Sequence, residues 1–295
     1  MKKSLFSGVC TALVTPFLEN QVNYPLVEQM IHRQIQCGVK AIVLAGTTGE
    51  APTLSDDEKI KLFQKGKQCA KENCLIIAGT GSNSTKHAVE LSIAAENAGA
   101  DALLVVSPYY NKANPEGLFT HYMAIAQSVN IPVILYNVPS RTGMDIPVSL
   151  YRRLYQQPNI VGVKEASTDI SKYISIQNAC SGNFSIWSGN DEMTVPIISL
   201  GGCGVISVLS NLFPAETVAM TQAALDGDFD TAAALQCALS PIIQLLFRDV
   251  NPIPVKYAMQ YVGFDCGGCR LPLGPISAEV KEKIDKFFLQ KRCAG

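Results

Sequence analysis

Eight short runs of β-branched and apolar residues recur along this chain, each separated from the next by a longer amphipathic stretch: Gly8 to Thr15, Ala41 to Ala45, Leu75 to Gly79, Ala102 to Ser107, Pro132 to Asn137, Ile160 to Glu165, Phe184 to Ser188 and Gly204 to Val208. Runs with no polar face read as strands covered on both sides, as parallel strands under helices are. The intervening stretches carry helix punctuation. Ser55-Asp56-Asp57-Glu58 is a cap followed three positions later by Glu, and Ala94-Ala95-Glu96-Asn97-Ala98-Gly99 runs into a terminal glycine. Strand and helix alternating eight times predict an α/β fold, a (β/α)8 TIM barrel over residues 1–225. A doubly wound sheet would want a glycine-rich turn after the first strand, and Pro16-Phe17-Leu18-Glu19-Asn20 has no glycine. From Asp226 the strand signals stop. Ala232 to Leu246 and Ala278 to Phe288 read as helices joined by loops at Pro252, Pro254 and Pro272, a C-terminal helical domain over 226–295.

Composition narrows the partners. At 47% hydrophobic and 17% charged, with 24 basic against 25 acidic residues, the chain can bury a large core and offers no charge excess to nucleic acid or an anionic membrane. The expected partner is a small molecule. Cys10, Cys37, Cys69, Cys74, Cys180, Cys203 and Cys237 lie scattered in apolar periodic segments, where free cysteine is a small hydrophobe, so a reducing, cytoplasmic setting is expected. Cys266-Gly267-Gly268-Cys269 is the one close pair; with His32, His87 and His121 far away on helical patterns, it reads as a turn with two thiols, and no metal is expected. The start, Met1-Lys2-Lys3 before an apolar run, resembles a signal peptide, but Gly8, Thr11 and Thr15 interrupt the run and Pro16 ends it. No other apolar stretch reads as a membrane span.

The sixth run ends in Lys164. A lysine at the end of a strand buried on both faces either snorkels to solvent or serves a reaction, because desolvation favours the free amine and a free amine attacks carbonyl carbon to give a Schiff base. Barrel enzymes place reactive groups where strands end. Three other strand ends are polar here: Gly46-Thr47-Thr48-Gly49-Glu50, Ser107-Pro108-Tyr109-Tyr110-Asn111 and Tyr136-Asn137-Val138-Pro139-Ser140-Arg141. Thr47 and Thr48, ahead of a helix, suit a small carboxylate. Tyr136, one strand from Lys164, suits proton transfer, and Arg141 suits a second carboxylate.

The segments GTTGE (46–50), SPYYNK (107–112), YNVPSRTG (136–143), GVKEAS (162–167), GND (189–191), GVISV (204–208) and NPIPVK (251–256) together resemble the dihydrodipicolinate synthase family of pyruvate-dependent class I aldolases, the superfamily that includes N-acetylneuraminate lyase. The resemblance implies condensation of pyruvate with L-aspartate 4-semialdehyde, on the route to lysine and diaminopimelate, with no cofactor. It implies Lys164 as the Schiff-base lysine and Tyr136 as general acid/base, with Thr48 and Tyr110 as relay partners. It implies Thr47 as a pyruvate-carboxylate ligand and Arg141 as the ligand of the semialdehyde carboxylate, with Gly189 and Ile206 as backbone contacts. Tyr110 is expected to enter a neighbouring subunit's site in a homotetramer. Lysine-inhibited members carry a glutamate where His87 stands here, histidines near Asp56 and Lys59, and polar residues in place of Ala51 and Pro52, so little or no lysine feedback is expected. The rival readings are another lyase of the superfamily acting on a sugar acid, and a non-catalytic paralogue.

Overall fold

A parallel strand with two apolar faces needs cover on both, and a closed barrel wrapped in helices supplies it. In the computed structural model, which describes residues 4–182 and 184–293, eight strands close on one another: β1 (Gly8–Ala12), β2 (Ala41–Leu44), β3 (Leu75–Gly79), β4 (Ala102–Val106), β5 (Val133–Asn137), β6 (Ile160–Glu165), β7 (Ser185–Ser188) and β8 (Gly204–Ser207). Every neighbouring pair is parallel, and β1 pairs with β8 to shut the ring. The expected strands are all present, shortened by up to three residues at their ends.

Helices α1 (Tyr24–Gln36), α2 (Asp56–Ala70), α3 (Thr85–Asn97), α4 (Pro115–Gln127), α5 (Val148–Leu154), α6 (Ile170–Ala179), α7 (Thr194–Ser199) and α8 (Pro214–Leu225) cover the outside. The capping box at Ser55 is formed in both directions, Ser55 Oγ accepting from Glu58 N and Glu58 Oε2 from Ser55 N. Residues alternate along the strands, so one set packs under the helices and the other fills the lumen with Cys10, Ala12, Val43, Ile77, Leu104, Ile134, Tyr136, Trp187 and Ile206. Phe6 stacks on Trp187 at 4.7 Å, just before β1, and stops the N-terminal end of the barrel. A Cβ on Gly162 would collide with the Ser185 carbonyl and the Trp187 ring, so only glycine lets β6 carry Lys164 beside that indole.

Beyond the barrel lie α9 (Phe229–Leu246), α10 (Ile253–Met259) and α11 (Ala278–Cys293). Three expectations need correction. Ile253–Met259, read as loop because of Pro252 and Pro254, is helical, since proline fits a helix's first turn where its missing N–H costs nothing. The turn after β1, read only as a glycine-free turn, is a small antiparallel hairpin, Phe17–Leu18 with Gln21–Val22, closed by Glu19 and Asn20 at positive φ. Thirdly, α9 is long and apolar enough to cross a membrane by length and composition, which the sequence reading passed over. Its buried Ala232, Leu239, Ile242, Ile243 and Leu246 belong to the core, and the helix packs on α8. Met1-Lys2-Lys3 lies outside the described residues.

Candidate active site

Cross-strand register brings the expected reactive pair together. β5 and β6 align Tyr136 with Lys164 and Asn137 with Glu165, so each pair shares a face. Tyr136 and Lys164 face the barrel mouth: Lys164 is 5% exposed, and its Nζ lies 4.4 Å from the Tyr136 ring centroid. The snorkelling alternative is therefore excluded.

The outward pair holds these strand ends in place. Asn137 Nδ2 donates to Glu165 Oε1 and Oε2 at 2.9 and 3.0 Å, and its Oδ1 accepts from Ile146 N. Glu165 also accepts from Ser167 N and the Tyr151 hydroxyl, while Tyr173 donates to its backbone carbonyl. Burial pushes the Glu165 carboxyl above its ordinary value, against these donors. Lys172 is ion-paired with Asp145 beside the same network. A fully partnered buried network of this kind fixes geometry. Lys164 and Tyr136 thus inherit their spacing from Glu165 and Asn137, their chain neighbours.

Two cavities meet at the mouth, sharing Tyr136, Val138 and Arg141. The larger, about 760 Å³, is lined by Lys164, Thr48, Ser167, Gly189, Glu192 and Asn251 among others. The other, about 590 Å³, takes in Thr47, Tyr109 and the group Asp56, Lys59 and His87. Gly189 meets Ala166 so closely that a Cβ would clash, which leaves its backbone facing the larger cavity. Asp191, in the same turn, accepts from Val208 N and Leu209 N; burial raises its carboxyl, offset by these hydrogen bonds and by Lys164.

The expected site residues do not all converge. Lys164, Tyr136, Thr48, Arg141 and Gly189 line one cavity, with Thr47 in the adjoining one. Ile206 is buried in the lumen with Tyr136 and lines neither cavity; Val208 reaches the larger one instead. Tyr110 is 89% exposed, holds φ +74, and also lines neither.

Asn251 was missed as a site residue, although it opens a quoted segment. Its Nδ2 donates to Thr48 Oγ1 at 3.0 Å and its carbonyl accepts from Arg141 Nη2 at 3.0 Å. The Asn-Pro pair signals a turn there, but not what the side chain meets. Glu50 and Lys256 were missed too: they form a fully buried ion pair at 2.7 Å directly behind Thr47 and Thr48. Elsewhere, Glu28, His32 and Cys69 bring possible ligand atoms within 4.8 Å of one another, a grouping the sequence reading did not foresee, but Lys65 already pairs with Glu28. The Cys266 and Cys269 thiols are free, and burial pushes each up to about 12, which leaves them poor nucleophiles.

A (β/α)8 enzyme with a buried lysine–tyrosine pair at the barrel mouth is the class that fold and site define. A family model described as the dihydrodipicolinate synthetase family matches residues 5–291. The 4-hydroxy-tetrahydrodipicolinate synthase of Acetivibrio thermocellus is 45% identical over 274 residues, 92% of this chain and 93% of that protein. Among solved structures, the chloride-inhibited dihydrodipicolinate synthase of Acinetobacter baumannii complexed with pyruvate superposes with a TM-score of 0.93 at 40% identity, covering 97% of this chain and 98% of that one. The enzyme of Cyanidioschyzon merolae with lysine bound gives 0.94 at 38%, covering 97% and 98%. The chain belongs to the dihydrodipicolinate synthetase family.

Proposed function

We propose that this chain acts as a 4-hydroxy-tetrahydrodipicolinate synthase, condensing pyruvate with L-aspartate 4-semialdehyde through a Schiff base on Lys164. The Lys164 amine adds to the pyruvate ketone and water leaves, giving an iminium that acts as electron sink. Loss of a methyl proton gives the enamine, whose carbon attacks the aldehyde; the new oxyanion takes a proton. Attack of the semialdehyde's own amine on the iminium carbon then frees Lys164 and closes the ring. Tyr136, against the Lys164 amine, is placed to move these protons, with Thr48 as its relay partner. Thr47 and Thr48 receive the pyruvate carboxylate, Arg141 grips the semialdehyde carboxylate, and the Gly189 backbone lines the same cavity. Ile206 supports the floor beneath Tyr136.

Tyr110 completes the relay in a neighbouring copy of a homotetramer. Supporting this is an exposed aromatic held in a left-handed backbone conformation, a strained arrangement that costs about 1–3 kcal/mol and persists where a role retains it. Free thiols at nine of the ten cysteines, Cys10 through Cys269, support a reducing, cytoplasmic setting.

The observation that carries the reading is the Lys164 amine, buried against the Tyr136 ring in a cavity that Arg141 also lines. Borohydride reduction with pyruvate, followed by peptide mass mapping, is expected to leave a pyruvyl adduct on Lys164. An adduct on another lysine, or none, overturns it.

Regulation by lysine is expected to be weak or absent. Among the described residues Asp56 is the only carboxylate lining the smaller cavity, and it is already engaged by His87 Nε2 at 2.8 Å and Lys59 Nζ at 3.2 Å. Burial works against the Asp56 carboxylate, but these two partners bring its net displacement downward. A diamine entering there meets three basic side chains, Lys59, His87 and Arg141, and no free carboxylate among the described residues. Titration with lysine to low millimolar concentrations should leave the rate unchanged; inhibition in that range contradicts the reading.

A further inference from the structure

We infer that Asn251 is a positioning residue for the proton relay: its side-chain amide orients the Thr48 hydroxyl, while its backbone carbonyl independently holds Arg141. The inference rests on the reading of Thr48 as a relay member. Asn251 comes from the segment between α9 and α10, yet it reaches across to the loop after β2, 203 positions away in sequence, and it is only 5% exposed.

The direction of the hydrogen bond matters. Asn251 Nδ2 donates to a lone pair of Thr48 Oγ1 at 3.0 Å. Thr48 therefore keeps its own hydroxyl proton for another acceptor, and Tyr136 lines the same cavity. A hydroxyl with one lone pair occupied by a fixed donor has its O–H direction restricted, which a relay needs. Donation in the opposite sense would consume that proton.

The rest of Asn251 argues against a merely structural role. Among the described residues its Oδ1 is buried with no partner, an arrangement that ordinarily destabilises. A side chain kept only for packing would be better apolar. The backbone carbonyl, by contrast, accepts from Arg141 Nη2 at 3.0 Å, and any residue at this position keeps that group. Side-chain replacement therefore separates two effects: the proton relay should change and the grip on the semialdehyde carboxylate should not.

The test measures kcat, the KM of each substrate and the pH–rate profile for Thr48→Val, Asn251→Ala and Asn251→Asp, with urea unfolding as a folding control. Thr48→Val should lower kcat strongly; wild-type turnover in that variant removes the relay reading itself. Given a slow Thr48→Val, the inference expects Asn251→Ala to lower kcat by roughly 10- to 100-fold with the semialdehyde KM changed less than about twofold, in line with loss of a proton-transfer contribution. Asn251→Asp keeps size and shape, so it answers even where the alanine variant fails to fold. Its carboxylate can only accept, which draws the Thr48 proton away. Its kcat should be low above the introduced carboxyl's pKa and recover as pH falls and the carboxylic acid regains a donor, an acidic dependence absent from the wild type. Wild-type kcat in a folded Asn251→Ala, a raised semialdehyde KM at unchanged kcat, or an Asn251→Asp profile parallel to wild type would each overturn the inference while leaving the relay reading intact.

Discussion

Lys164→Ala is expected to reduce condensation by at least about 10³-fold in kcat, because residues that form the covalent intermediate act as a unit with the groups around them and their loss is not made up by binding alone. No nearby amine can substitute. Among the described residues Lys164 is the only lysine lining the larger cavity. The other buried amines are committed: Lys59 to Asp56, Lys172 to Asp145 and Lys256 to Glu50. The fold should survive, since Lys164 forms no ion pair among the described residues and its truncation opens space into an existing cavity. Steady-state turnover with both substrates, paired with circular dichroism, checks this. A folded variant turning over at the wild-type rate would sink the Schiff-base reading.

The barrel and the pairing of Tyr136 with Lys164 were legible for one reason: both are written in local pattern. Continuous apolar runs mark doubly covered strands, and Tyr136 and Lys164 each stand near the end of such a run, so adjacent strands bring them together without further information. Glu165 and Asn137 lie in the same runs but escaped notice, because a strand-end polar residue does not announce whether it faces the mouth or the helices. Asn251, Glu50 and Lys256 were illegible for a different reason. Their partners are about 200 positions away, and no periodicity encodes a hydrogen bond closed by the tertiary fold. Proline misled in α10, where it stands at the helix start instead of breaking it. Tyr110 is a further kind of case: its motif implied a role, but in a single copy of the chain it lines neither of the two cavities at the mouth.

Lys256→Met is expected to destabilise the protein by about 3–5 kcal/mol, the usual cost of removing one member of a buried ion pair. Lys256 Nζ donates to Glu50 Oε1 at 2.7 Å and to the Gly268 carbonyl at 2.7 Å, and it lies 4.2 Å from the Phe17 ring centroid. With methionine in its place, the Glu50 carboxyl stays buried with the Arg270 N–H at 2.9 Å on Oε2 and the Cys269 thiol as its remaining partners, neither of them a cation. Urea unfolding should show the midpoint falling with little change in slope. The double variant Glu50→Gln/Lys256→Met should recover more than half of the loss, since it removes the uncompensated charge as well as the partner. Function should suffer beyond stability. Glu50 follows Thr47, Thr48 and Gly49 and holds φ 58, a left-handed conformation unfavourable for a side-chain-bearing residue. The pair with Lys256 and the Arg270 N–H anchor its side chain there, alongside turn bonds from Glu50 N to the Thr47 carbonyl and from Thr53 N to the Glu50 carbonyl, and Thr15 Oγ1 pins the adjoining Gly49 carbonyl at 2.7 Å. Releasing Glu50 lets the loop relax toward negative φ and carries the two threonines away from the cavity. The pyruvate KM should therefore rise in folded Lys256→Met, measured well below its unfolding temperature. Stability within about 1 kcal/mol of wild type, or an unchanged pyruvate KM, would show that the loop holds its shape without the pair.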